Sequence, residues 1–125
     1  MIVAVLGASD NPEKYSSQAL KLLREKGHEV FPVNPSVRQI EGQKVYASLE
    51  AVPKAVDTLT MYVSRAVSSK MAGQILQRKP RRVIFNPGAE NPALEADLAR
   101  EGIKTVEACT LVLLRTNQFD KISNP

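Results

Sequence analysis

Gly7-Ala8-Ser9 follows directly on an uninterrupted apolar run, residues 2–6, and an amphipathic stretch, residues 15–26, comes after a short polar link. Strand, small-residue turn and helix in that order aim backbone N–H groups at a helix start, where partial positive charge attracts anions such as phosphate. Ser9 adds a hydroxyl and Lys14 a cation. Comparable residues close the later apolar runs: Val33-Asn34-Pro35 with Arg38 behind it, Val63-Ser64-Arg65, and Asn86-Pro87-Gly88. As acids, bases or nucleophiles the same loops offer only Asp10, Glu13, Glu90, Glu107 and Cys109, and no pair of them forms a recognisable catalytic set. No group of His, Cys, Asp and Glu has metal-ligand spacing. The chemistry in view is the binding of a phosphorylated small molecule, with no catalytic residue assigned.

Two common nucleotide motifs are missing. Gly7-Ala8-Ser9 has one glycine where a dinucleotide fingerprint has two, and no Gly-Lys-Ser/Thr occurs. NAD-binding domains place an acidic residue after the second strand to hold the ribose hydroxyls. Here Val33-Asn34-Pro35 stands at that place and the next carboxylate is Glu41. Arg38 suits a ribose phosphate instead, either that of NADP or the 3′-phosphate of CoA. Plainer readings remain open beside these. Ser9 is a favoured turn residue, Arg38 a solvated loop residue, and Asn86-Pro87-Gly88 a strand-to-helix turn. Cys109 reads as a small buried filler.

These loops need elements to hold them. Strands are expected at 2–6, 29–33, 57–63, 82–85 and 103–106, with a short edge strand at 45–46. Helices are expected at 16–26, 66–77, 91–100 and 110–116, with a helical turn at 49–52 and a polar tail that frays. Val67, Met71 and Ile75 recur every four residues along the second helix. Asn91-Pro92 supplies an N-cap and a first-turn proline for the third. Strands alternating with helices imply right-handed βαβ units. The expected fold is a single α/β domain over residues 1–125, three-layered and doubly wound in the Rossmann manner, with a five- to six-stranded mainly parallel sheet. Ligands of such sheets bind outside the carboxyl ends of the strands, where strand order reverses.

The chain has 125 residues, 43% of them hydrophobic and 24% charged, which fits one ordinary globular domain. No apolar run approaches the roughly 18 residues that span a membrane, and no leader is expected before a strand that opens at residue 2. One cysteine excludes an internal disulfide and argues for a reducing, cytoplasmic setting. The net charge of +4 suits a polyanionic small molecule. Nucleic acid is not expected, because the basic residues are dispersed and no binding motif is present. The exception, Arg78-Lys79-Pro80-Arg81-Arg82, reads as a solvated helix end.

Gly7-Ala8-Ser9, the Tyr15-Ser16 helix start, Gly27-His28-Glu29-Val30-Phe31-Pro32-Val33-Asn34-Pro35, Gly42-Gln43-Lys44-Val45-Tyr46 and Val56-Asp57 together resemble the small stand-alone CoA-binding proteins. These are single Rossmann domains similar to the CoA-binding domain of succinyl-CoA synthetase-type enzymes, and the likeness covers nearly the whole chain. It implies that Gly7, Ala8 and Ser9 approach the pyrophosphate, with Lys14 adding charge. It implies one adenosine wall from Val33, Asn34 and Pro35, with Arg38 at the 3′-phosphate, and a second wall from Val63, Ser64 and Arg65. Asn86, Pro87 and Gly88 would border the pantetheine arm. Ser64-Arg65 stands where the family has a Pro-x-Glu type of ending. The synthetases' phosphorylated histidine lies in a second domain, and the only histidine here, His28, falls at the opposite edge from the strand carboxyl ends. The resemblance implies a non-enzymatic module for CoA or an acyl-CoA. An NADP-binding oxidoreductase-like or redox-sensing domain, and an interaction subunit with an empty nucleotide fold, are the alternatives.

Overall fold

Five short segments form the strands of one parallel sheet: β1 (Ile2–Leu6), β2 (Glu29–Val33), β5 (Thr58–Met61), β6 (Arg82–Phe85) and β7 (Lys104–Glu107). Two two-residue strands, β3 (Gln39–Ile40) and β4 (Gln43–Lys44), form a separate hairpin. Helices α1 (Tyr15–Glu25), α2 (Arg65–Arg78), α3 (Pro92–Arg100) and α4 (Thr110–Arg115) complete the domain, with single 3-10 turns at Leu49–Ala51 and Phe119–Lys121. This computed structural model describes residues 1–121.

The sheet runs in the order β2-β1-β5-β6-β7. The chain winds outward from β1 to β2, then crosses back to the far side of β1 and winds the other way. Alternation along the strands serves both faces. Ala4 and Leu6 join Leu59, Met61, Val83 and Phe85 beneath α2, α3 and the Leu49–Ala51 turn. Val3 and Val5 join Ile84, Leu20, Leu23 and Leu114 beneath α1 and α4. A central strand covered on both faces must be apolar at every position, which is why β1 reads as a continuous run. Among the described residues no helix is long and apolar enough to cross a membrane.

Element boundaries shift for identifiable reasons. The Asp57 N–H donates to Ile2 O before the named strand begins, and the carbonyl of Asp57 takes both the Arg81 and Arg82 N–H groups. Ile103 is expected in a strand but donates to Leu98 O, closing the end of α3, so β7 starts one residue later. The expected edge strand at 45–46 reduces to a single parallel bridge, Val33↔Tyr46. There Tyr46 N donates to Pro32 O and Asn34 N to Tyr46 O, which shields the outer edge of β2. Pro32 is tolerated because β2 is an edge strand.

Two expectations are corrected. The basic run at 78–82 is a solvated helix end for Lys79 and Arg81 only. Arg78 donates to the carbonyls of Val52 and Lys54. Arg82 is 1% exposed. Its Nε donates to Thr58 Oγ1 at 2.6 Å, and its guanidinium lies 4.4 Å from the centre of the Phe119 ring. The tail does not fray at once either, because buried Phe119 packs edge-on against the His28 ring. The last four residues of the tail lie outside the described residues.

Candidate functional site

Strand order reverses beside β1, and there the carboxyl ends of β1, β2 and β5 diverge. A cavity of about 410 Å³ opens between them and the first turns of α2. Leu6 and Gly7 line it at the end of β1, Val33, Asn34 and Pro35 at the end of β2, and Val63 just after β5, which stops at Met61 short of the expected residue 63. Ala47 and Ser48 close one side, and Val67, Lys70, Met71 and Gln74 come from α2.

The β1–β2 lip is bonded into one piece. The N–H groups of Gly7 and Ala8 both donate to Val33 O, at 3.0 and 3.2 Å. Asn34 Nδ2 donates to Ala8 O at 2.7 Å, and Asn34 Oδ1 accepts from Ser36 N at 2.8 Å. Gly7 also sits against the exit of β5. Its φ is +87°, and a Cβ there would lie 2.7 Å from Tyr62 O and 2.9 Å from Val63 Cγ1. Glycine is therefore required by two independent constraints. Gly7 and Ala8 spend their N–H groups on Val33, so the expected donation from them to a pyrophosphate is not available, and the first backbone N–H after β1 with no backbone partner among the described residues is that of Ser9.

From Ser9 the chain makes a self-bonded turn into α1. Ser9 Oγ accepts from Asn11 N, Asn11 Oδ1 accepts from Glu13 N, and Ser17 Oγ donates to Ser9 O. Lys14 is the exposed N-cap residue of α1 and makes no side-chain cap. Neither Ser9 nor Lys14 lines the cavity; both stand on the turn beside it.

The remaining candidates divide by face. Arg38 is exposed at the base of the β3–β4 hairpin, where its carbonyl accepts from Val45 N. Ile40 and Val45 of that hairpin pack on the α1 side of the sheet, away from the α2 side where the cavity lies. Ser64 caps α2 by accepting from Val67 N, and Arg65 is the exposed first residue of that helix. Asn86 is buried and its polar atoms are all turned inward. Its Nδ2 donates to Thr60 Oγ1 and Met61 O, and its Oδ1 accepts from Thr110 N. It ties β5, β6 and the start of α4 together, and leaves Pro87 and Gly88 exposed on the rim one strand away from the cavity.

Beside that staple, Thr60 Oγ1 and Thr110 Oγ1 are 2.8 Å apart. The buried Tyr62 hydroxyl lies against the pair without a well-formed hydrogen bond, and burial pushes its phenol up to about 12. Cys109 is half-buried at the N-cap of α4. Among the described residues no cluster of three or more His, Cys, Asp or Glu could hold a metal ion.

The strand ends alone do not point to Ala47, Ser48, Val67, Met71, Lys70 and Gln74. A signal for the last two existed in the Val67-Met71-Ile75 stripe. Ile75 reaches the core, but Val67 remains 43% exposed, because what it faces is the cavity. The walls are mainly apolar, the polar groups few, and the lining includes one cation, Lys70, and no carboxylate.

A family model described as a CoA binding domain matches residues 2–115. Subunit alpha of the ADP-forming acetate–CoA ligase II of Pyrococcus furiosus is 36% identical over 64 residues, 50% of this chain and 14% of that protein. The ADP-forming acetate–CoA ligase I of Archaeoglobus fulgidus is 29% identical over 124 residues, 98% of this chain and 18% of that protein. The chain spans less than half the length of the curated relatives it matches. A solved structure of an uncharacterized protein, 36% identical, superposes with a TM-score of 0.88 over 94% of this chain and 97% of its own. With the doubly wound sheet in place and the family model running from the first strand to the last helix, the chain belongs to the CoA-binding domain family.

Proposed function

We propose that this chain binds CoA, or an acyl-CoA, at the switch-point cavity, as a binding module without catalysis of its own. The observation that carries this reading is a lining of apolar walls with one cation and no carboxylate. An acidic residue to hold free ribose hydroxyls is missing there, which disfavours NAD. The adenosine would enter between the Val33–Pro35 wall and the Val63–Val67 wall, and the pyrophosphate would lie over the turn that starts at Ser9. The arm would then run along the strand ends toward Pro87 and Gly88. The loops around the site lack a paired acid, base and nucleophile, which supports binding alone. The single cysteine supports a reducing, cytoplasmic setting.

Titration calorimetry with CoA, acetyl-CoA, NAD and NADP tests this. CoA or acetyl-CoA is expected to bind more tightly than either dinucleotide. Tighter binding of NAD than of CoA refutes the assignment, and NADP binding ahead of CoA transfers the site to the dinucleotide.

A further inference from the structure

We infer that the pocket between α1 and the β3–β4 hairpin is a second ligand site, which takes a small zwitterion of the α-amino acid class, with its carboxylate on Arg24 and its ammonium group on Glu41. This pocket is on the α1 side of the sheet and shares no lining residue with the switch-point cavity. The inference stands whether or not CoA binds.

The pocket has a volume of about 230 Å³. Liquid water occupies about 30 Å³ per molecule, so this is the space of roughly eight waters, which suits a small amino acid. Leu20, Lys21 and Arg24 line it from α1, Asp10 from the turn before that helix, and Ile40 and Glu41 from the hairpin.

Arg24 is unlike the surface cations. Lys14, Lys21 and Arg65 are exposed, and water serves their charge. Arg24 is half-buried, and its Nη2 is shielded from solvent with no hydrogen-bond partner. Burial lowers its pKa and the Glu41 carboxylate raises it, so the two groups sense each other across the pocket they line. Among the described residues they form no ion pair. Buried donors in folded proteins are nearly always paired, so an unpaired guanidinium beside a cavity calls for an acceptor.

Glu41 supplies the opposite charge at a local cost. Its φ is +49°, in the left-handed region, and Gly42 follows at +78° in the two-residue turn of the hairpin. Asn-Gly is the easy sequence for such a turn, and glutamate is a poor fit at its first position. What glutamate adds is a carboxylate on the pocket. With Asp10 and Lys21 included, the lining carries two carboxylates and two cations. A lone anion or a lone cation is repelled by half of that set, whereas a molecule bearing both signs finds a partner at each end. Buried Leu20 and Ile40 give a small apolar side chain its wall.

NMR titration of isotopically labelled protein tests this with three probes: L-valine, valinamide, which lacks the carboxylate, and isovalerate, which lacks the ammonium group. L-valine is expected to shift the signals of Lys21, Arg24, Ile40 and Glu41 saturably in the millimolar range, leaving Val63 and Gln74 unmoved. Each one-charge analogue should bind roughly tenfold more weakly or worse, and Arg24→Gln should weaken L-valine by a similar factor. Because Arg24 is half-buried, Glu41→Asn provides the second reading. Asparagine suits the left-handed turn, so this variant should melt no lower than wild type while losing the preference for L-valine over isovalerate. The inference is overturned if L-valine gives no saturable shift, if isovalerate binds as well as L-valine to wild type, if the shifts fall on the switch-point cavity instead, or if Glu41→Asn keeps its preference.

Discussion

Replacing Gly7 with alanine tests whether the lip of the cavity is as tightly determined as its geometry requires. At φ +87° an alanine occupies the left-handed region, at a cost of about 1–2 kcal/mol. Its Cβ would also meet Tyr62 O at 2.7 Å and Val63 Cγ1 at 2.9 Å. Val63 can turn aside, but Tyr62 O is backbone, and the Tyr62 N–H is fixed to Leu6 O at 2.9 Å. The ends of β1 and β5 must then separate, an overpacking strain of about 1–3 kcal/mol. The sum is about 2–5 kcal/mol, a fall in Tm of roughly 8–25 °C for a domain of this size. Gly102 provides the internal comparison. Its φ is +77°, yet a Cβ there would meet nothing within 4 Å, so Gly102→Ala should carry only the conformational cost of about 1–2 kcal/mol. Urea and thermal unfolding of both variants measure the difference. Equal destabilisation of the two would show that the close approach to Tyr62 contributes nothing, and the account of the lip would be wrong.

Two further perturbations address the cavity and the opposite edge. Val67 lies in the first turn of α2, where an aspartate favours the helix dipole. Val67→Asp should therefore melt no earlier than wild type while CoA binding weakens more than about tenfold, one charge repulsion at ionic contact; retained affinity would move the ligand off α2. At the other edge, burial lowers the pKa of His28, and the Met1 ammonium 3.1 Å from Nδ1 lowers it further. A depressed histidine stabilises the fold above its unfolded pKa of about 6.5 and loses that contribution as pH falls through the folded value. Unfolding free energy should thus drop between pH 7 and pH 5, and His28→Gln should flatten that slope; an unchanged slope would remove His28 as its source.

The fold was legible where β1, β2 and β6 are short, largely apolar runs closed by Gly7, Asn34-Pro35 and Asn86-Pro87-Gly88, signals that act locally. The site was legible only where it is made of strand ends. Gly7, Val33, Asn34, Pro35 and Val63 meet in the cavity because topology brings those ends together. Arg38 does not, since residues 39–44 fold into a hairpin that seats Ile40 on the α1 side. No local signal says which face a connecting segment will choose. Lys70 and Gln74 lie within a helix, far in sequence from the other lining residues, and only the unsatisfied start of the Val67 stripe hinted at them. Arg82 misled for a similar reason. A basic run looks solvated until the strand register puts Arg82 opposite Thr58 and the chain's far end lays Phe119 over it.

That buried arginine gathers the two ends of the described chain. Met1 Sδ lies 3.5 Å from Arg82 Nη2, and the Phe119 ring stacks on the same guanidinium, so the first residue and the last described turn meet at one point. The point is at the amino-terminal edge of the sheet, across the molecule from the cavity. The first residue and the last described turn thus share the side of the sheet opposite the cavity. Chain attached at Met1 would therefore leave the domain on the side away from the mouth of the cavity.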